Sequence, residues 1–179
     1  MINVKANKEA IIKRLKSTNR EGMENLLAWL ESTDFFVAPA SAGHHLAIEG
    51  GLSEHSLSMY KTFRRLNKGF NIGLPIDSMI ISGLLHDVCK INTYVKKEDG
   101  GYSYSTSANR GHGLRSVNLI EKYIKLTDSE EAMIRWHMGH YTYKQDGDYR
   151  KKENEIQKKF PECYLIHWAD HLSSLFLEK

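Results

Sequence analysis

Apolar residues return at helical spacing along most of this chain. Ile11, Ile12 and Leu15 form a first short stripe, and Met23, Leu26, Leu27 and Leu30 a second, which predicts one or two helices over about residues 7–32. The stretch FFVAPASAGHHLAIEGG then loses all period and holds Pro39, Gly43, Gly50 and Gly51, so it reads as a loop. Leu52, His55, Met59, Phe63 and Leu66 share one face of the next helix, over about residues 53–67. Pro75 opens another, expected to run to about Cys89. Met79, Ile80, Ile81, Leu84 and Leu85 make it apolar nearly all round, which marks it as central and buried. Gly83 in its interior costs about 1 kcal/mol against Ala, a cost that close packing would offset.

From Thr93 to Ser105 the pattern changes. TYVKK, EDGG and YSYS read as a short hairpin whose turn is supplied by Asp-Gly and Gly-Gly. Beyond Gly113, Val117, Ile120 and Ile124 mark a further helix. Thr127 and Glu130 match a capping box, starting a helix that carries Met133, Ile134, Trp136 and His137 and stops at Gly139. Residues 146–159 are polar and expected to be exposed, with room for a short helix. Pro161 opens the last helix, carrying Cys163, Leu165, Ile166, Ala169, Leu172 and Phe176. The expected fold is all-α, with one small β-hairpin.

Composition narrows the function only by exclusion. The 179 residues are most simply one domain. A net charge of +3 favours anions weakly and does not mark a nucleic-acid binder. Two cysteines, Cys89 and Cys163, do not make a disulfide scaffold and fit a reducing compartment. The start MINVKANKEAIIKRL is charged, without an apolar signal core. No stretch approaches the ~20 apolar residues of a membrane helix. A soluble, cytoplasmic protein is the expectation, and the oligomeric state is left open.

Six residues stand out against this background: His55, the doublet His86-Asp87, His112, His137 and Asp170, spaced at about one per predicted helix. Imidazole nitrogen and carboxylate oxygen together suit divalent transition metals. Four such ligands hold one ion, and two more, with a carboxylate shared, would hold a second. Two adjacent cations stabilise both the attacking and the leaving oxygen of a phosphoryl displacement. Each residue also has a plainer reading. His55 could be a core histidine with a satisfied hydrogen bond. Asp87 could simply pair with Lys90 at helical spacing, which leaves His86 unexplained. His112 and His137 could be capping histidines, and His140 competes with His137 for the sixth position. His167 and His171 stand four apart, but without a Glu after His167 they lack the zinc-protease motif.

The order His…His-Asp…Asp resembles the HD-domain metal-dependent phosphohydrolase superfamily. GGLSEHSLSM surrounds the first histidine, GLLHDVCK is close to the family's HDxGK-like signature, and WADHLSS supplies the final aspartate. The signature departs at Cys89, where the family often has glycine, and keeps Lys90. GHGLRSV around His112 and IRWHMG around His137 resemble the extra histidines of the two-metal branch. The run PASAGHHLAIEGGLSEH is also similar to the HD part of bacterial 3′-to-5′ exoribonucleases that carry an OB-fold. No OB-fold stretch is read in these residues, so exonuclease activity is not carried over; small stand-alone HD hydrolases of bacteria or phage are the nearer likeness.

The resemblance implies a helical HD bundle over about residues 35–176 with a helical extension at 1–34. It implies that His55, His86, Asp87 and Asp170 bind a first metal, and that His112 and His137 bind a second with Asp87 bridging. The family favours divalent manganese, iron, nickel or cobalt, with magnesium and zinc as further options. The expected reaction is hydrolysis of a phosphate ester in a nucleotide or short oligonucleotide. An activated water attacks phosphorus in line with the leaving oxygen, and Asp87 and Lys90 are the catalytic residues. Lys90, Arg110, Arg115 and His45 are candidates to bind the substrate; His44 and Tyr94 are further pocket candidates. Arg110 and Arg115 flank His112 and, as guanidinium groups, match phosphate in a bidentate way, although both could equally be solvated. The alternative function is a non-catalytic module that binds a metal or nucleotide without turnover.

Overall fold

A computed structural model describes residues 2–105, 111–139 and 149–178, with the side chains of 149–151 outside the description. Two helices form the first stretch, α1 (Val4–Ser17) and α2 (Met23–Glu31). The Asn3 side chain caps α1 by accepting the Ala6 N–H at 3.0 Å. Residues 35–50 form turns, as their lack of period predicted. The long helix α3 (Gly51–Gly69) and the apolar α4 (Ile76–Leu85) follow. The hairpin consists of β1 (Tyr94–Lys96) and β2 (Tyr102–Tyr104), antiparallel, with Tyr94 opposite Tyr104. Then come α5 (His112–Ile120), α6 (Asp128–Trp136), α7 (Tyr149–Lys159) and α8 (Glu162–Leu172).

The central packing is α3 against α4 and α8, with α4 and α8 both resting on α6, and α5 on α6. One core runs through these helices. Leu52, Met59 and Phe63 of α3 meet Ile81, Leu84 and Leu85 of α4, Ile134 of α6 and Ile166 of α8. Ile11 and Leu15 of α1 and Leu26 and Leu30 of α2 belong to the same core. A small second cluster, Ala132, Trp136 and Cys163 with Ile156 and Phe160, seats α7. Both cysteines are buried and free. Among the described residues, the all-α fold with a single small hairpin is as expected.

Two glycines permit the close approaches. A Cβ on Gly83 would lie 3.3–3.4 Å from Tyr60 of α3, so α3 and α4 pack tightly just where His55 and His86 face one another. A Cβ on Gly113 would lie 2.2 Å from the Arg135 carbonyl oxygen, so the start of α5 lies directly on the end of α6.

Two predicted boundaries are corrected. The helix opened by Pro75 ends at Leu85, not near Cys89, and Val88–Lys90 forms a separate 3₁₀ turn. Local chemistry accounts for this. The His86 imidazole donates from Nδ1 to the Gly83 carbonyl at 3.1 Å, occupying the acceptor that a continuing helix would offer to residue 87. The last helix ends at Leu172, and the stretch to Phe176 falls in a π-helical turn, Ser173–Leu177.

Candidate metal centre

Helix ends build the centre. His86 is the C-cap of α4 and His137 the C-cap of α6, while His112 is the first residue of α5. His55 lies in the opening turns of α3 and Asp170 near the end of α8. Asp87 leaves the helix just after His86, with φ −110° and ψ 16°. These six residues, widely spread in sequence, meet around the Asp87 carboxylate.

The two Asp87 oxygens face different histidines. Oδ2 lies 3.6 Å from His55 Nε2 and 3.5 Å from His86 Nε2. Oδ1 lies 2.5 Å from His112 Nε2 and 3.6 Å from His137 Nε2. Asp170 Oδ1 approaches His55 Nε2 at 3.3 Å. Three overlapping triads, His55–His86–Asp87, His86–His137–Asp170 and Asp87–His112–His137, each bring ligand atoms within 4.8 Å of one another.

The outward nitrogens set the tautomers. Nδ1 of His86 donates to Gly83, and Nδ1 of His137 donates to the Ile134 carbonyl at 2.7 Å. Nδ1 of His55 donates to the Glu178 carboxylate at 2.9 Å. All three therefore turn Nε2 inward. His55 Nε2 and His86 Nε2 lie only 3.2 Å apart, and His137 Nε2 is buried with no hydrogen-bond partner among the described residues. Inward ring nitrogens beside buried carboxylates are the surroundings of a cation, and the donor set fits a divalent metal.

Electrostatics agree. Burial alone would raise the Asp87 carboxyl, but Lys90, His86 and His112 hold it well below the usual range. Asp170 is likewise held low against burial by the His55 hydrogen bond and charge. Burial opposes charge on His55, yet Asp170 and Glu178 raise it to about 10. His112 is also raised to about 10, by Cys89 and Asp87 acting against burial. His86 is lowered to about 3, chiefly by burial.

Lys90 Nζ donates to Asp87 Oδ2 at 2.7 Å and to the Ala40 carbonyl at 2.7 Å. The plain ion pair thus coexists with the histidine cluster instead of replacing it. Lys90 reaches Asp87 from the 3₁₀ turn, not from a continuing helix. Above the centre opens a cavity of about 540 Å³, lined by Asp87, Lys90, His112 and Asp170 below and by Tyr94, Tyr104, Arg115, His44 and His45 around it. His45 Nε2 lies 3.8 Å from Glu178 Oε2, and burial, followed by the nearby His55, lowers its pKa to about 4. Arg115 reaches the Cys89 carbonyl at 3.4 Å. His171 lines the cavity, whereas His167 donates to the His137 carbonyl at 2.7 Å and so ties α8 to the end of α6. Arg110 and His140 lie outside the described residues.

Two participants escaped the sequence reading. Tyr104 is legible once the hairpin register is known, because Tyr94 is its cross-strand partner. Glu178 had no signal beyond being an acid after the apolar run LFL.

Comparison with known proteins gives the family. The chain is 30% identical over 142 residues to the dihydroneopterin 2′,3′-cyclic phosphate phosphodiesterase of Methanocaldococcus jannaschii, covering 76% of this chain and 51% of that protein. It thus spans about half the length of this curated relative. No solved structure matches it. The HD domain family matches residues 52–175, the span from α3 to the π-helical turn that carries every residue of the histidine–aspartate cluster, and the chain belongs to the HD-domain phosphohydrolase superfamily.

Proposed function

We propose that this protein is a metal-dependent phosphohydrolase that cleaves a phosphate ester of a nucleotide-like molecule with an activated water. One observation carries the reading: Asp87 directs Oδ2 toward His55 and His86 and Oδ1 toward His112 and His137, at the floor of a substrate-sized cavity. His55, His86, Asp87 and Asp170 would hold one cation; His112 and His137 would hold a second, with Asp87 shared. Divalent manganese, iron, nickel or cobalt there supplies Lewis acidity and water activation for an in-line displacement.

The chain's own groups do the rest. Asp87 stays ionised, so its two oxygens remain available as ligands at neutral pH. Lys90 stays charged because Asp87 outweighs the effect of burial, and it lines the cavity where charge develops on the non-bridging oxygens. Arg115 offers a planar guanidinium to further phosphate oxygens. His45, kept neutral, hydrogen-bonds a sugar hydroxyl or the leaving oxygen without adding charge. The Tyr94 and Tyr104 rings, with centroids 5.3 Å apart, wall the cavity on the hairpin side. Aromatic faces stack on planar heterocycles, which supports a substrate with a base-like ring.

The M. jannaschii relative, named for a 2′,3′-cyclic phosphate ester, makes cyclic phosphodiesters the first substrates to try. The test loads the protein in turn with manganese, cobalt, nickel or magnesium. Each form is then offered 2′,3′-cyclic nucleotides, dihydroneopterin 2′,3′-cyclic phosphate, dinucleotides and nucleoside monophosphates. Metal-dependent, chelator-sensitive hydrolysis of at least one is expected. Metal uptake without turnover of any would favour the non-catalytic binding module.

A further inference from the structure

Glu178 is the wrong residue to be buried where it is. In the turn before it, Leu175, Phe176 and Leu177 are 59%, 66% and 56% exposed, while the Glu178 side chain is only 3% exposed. Acids are seldom fully buried unless paired. Here the partner is His55, whose Nδ1 lies 2.9 Å and 3.1 Å from the two Glu178 oxygens. The other neighbour is His45, at 3.8 Å.

The helix positions explain why His55 needs an imported acceptor. The last carbonyls of an α-helix have no partner within it, whereas the unpaired groups of its first turn are N–H donors. His86 and His137, as C-caps, each donate Nδ1–H to a carbonyl three residues back. His55 sits in the opening turns of α3, where the local carbonyls are committed to the helix. Its Nδ1–H acceptor must come from elsewhere in the fold. The turn Ser173–Leu177 delivers it, tied to α3 by a second buried contact, in which Ser173 Oγ donates to Thr62 Oγ1 at 3.0 Å.

We propose that Glu178 is the positioning residue of the first cation site: by accepting the Nδ1–H of His55 it fixes the tautomer and ring angle that present Nε2 to the ion. The proposal rests on the metal reading above. A carboxylate in this role also makes the imidazole a stronger donor than a backbone carbonyl would. His55 thus lies between two carboxylates, Asp170 on its Nε2 side and Glu178 on its Nδ1 side.

The test is cobalt binding, read by chelator competition and by the visible spectrum of the bound ion, with circular dichroism to verify folding. The proteins are wild type, Glu178→Ala, Glu178→Gln, Ser173→Ala and Asp87→Asn. Glu178→Ala is expected to weaken binding about 10–100-fold. Glu178→Gln keeps an acceptor but not the charge, and should fall between. Ser173→Ala loosens the turn but keeps the Glu178 carboxylate, so it should weaken binding less than Glu178→Ala does. Equal affinity in wild type and both Glu178 variants overturns the proposal and leaves the metal reading intact. So does a loss in Ser173→Ala as large as in Glu178→Ala, because docking of the turn would then be the whole effect. A wild type that takes up no Asp87-dependent cobalt overturns both.

Discussion

At the scale of single residues, Asp87 and Lys90 have separable duties despite their 2.7 Å contact. Asp87→Asn removes the anion shared between the two histidine pairs, so metal content should fall and hydrolysis be nearly abolished. Lys90→Ala leaves every histidine and carboxylate in place. It should keep most of the metal while turnover falls by about 10²–10³, the usual loss when one transition-state donor is removed. Elemental analysis and steady-state kinetics on the two variants decide this. Wild-type turnover in Lys90→Ala would remove its phosphate role, and full metal with full activity in Asp87→Asn would end the shared-carboxylate mechanism. The cluster was legible in sequence because buried histidines and aspartates on apolar helices need partners, and their order narrows the choice. Glu178 was not legible: its meaning depends on a turn geometry and on His55 lacking a local acceptor, neither of which is written in residue types.

Among elements, α6 carries the most consequence per residue. Its capping box is formed as read: Thr127 Oγ1 accepts the Glu130 N–H at 3.2 Å and Glu130 Oε2 accepts the Thr127 N–H at 2.9 Å. Glu130 does more than cap. It pairs with Arg20 at 2.8 Å and accepts from Ser78 Oγ at 2.9 Å, joining α6 to α4 and to the α1–α2 link. Burial would raise its carboxyl, but these partners, Arg20 foremost, hold it low. A carboxyl depressed in the fold stabilises it above the unfolded pKa, about 4.3, and loses that contribution as pH falls further. Glu130→Gln should therefore cost about 1.5–3 kcal/mol at pH 7. In urea melts of metal-free protein the gap to wild type should shrink below about pH 4. A gap independent of pH would assign the loss to shape, not charge. The other end of α6 carries His137, and Gly113 lets His112 come beside it. Gly113→Ala would drive a methyl group into the Arg135 carbonyl. It should displace His112 and lower the affinity of the second site more than the first, seen as one strong and one weakened step in a metal titration. Element types followed from apolar period and turn residues. The ends of α4 and α8 did not: the His86 side chain takes the Gly83 carbonyl at the end of α4, and α8 widens into a π-helical turn where the apolar pattern still continues.

For the whole molecule, the centre is a cross-link. It draws on α3, the end of α4, α5, α6 and α8, segments that span more than a hundred residues of sequence. Among the described residues, no helix is long and apolar enough to cross a membrane. The centre's carboxylates Asp87, Asp170 and Glu178 face Lys90, His112 and His55 at close range, so charges drawn from separate helices attract one another. A divalent ion that binds only the folded chain adds stability by mass action, about 2.7 kcal/mol at a hundred times its Kd. For a chain of this size that is roughly 5–10 °C in Tm. Melting curves with manganese or cobalt against chelator should show such a rise, and the rise should grow with the logarithm of metal concentration. Asp170→Ala removes the proposed first-site ligand on α8, so its curve should respond far less, while its chelated form need not lose the fold. An equal rise in wild type and Asp170→Ala would mean that the ions stabilise some other surface, and that α8 is held by packing alone.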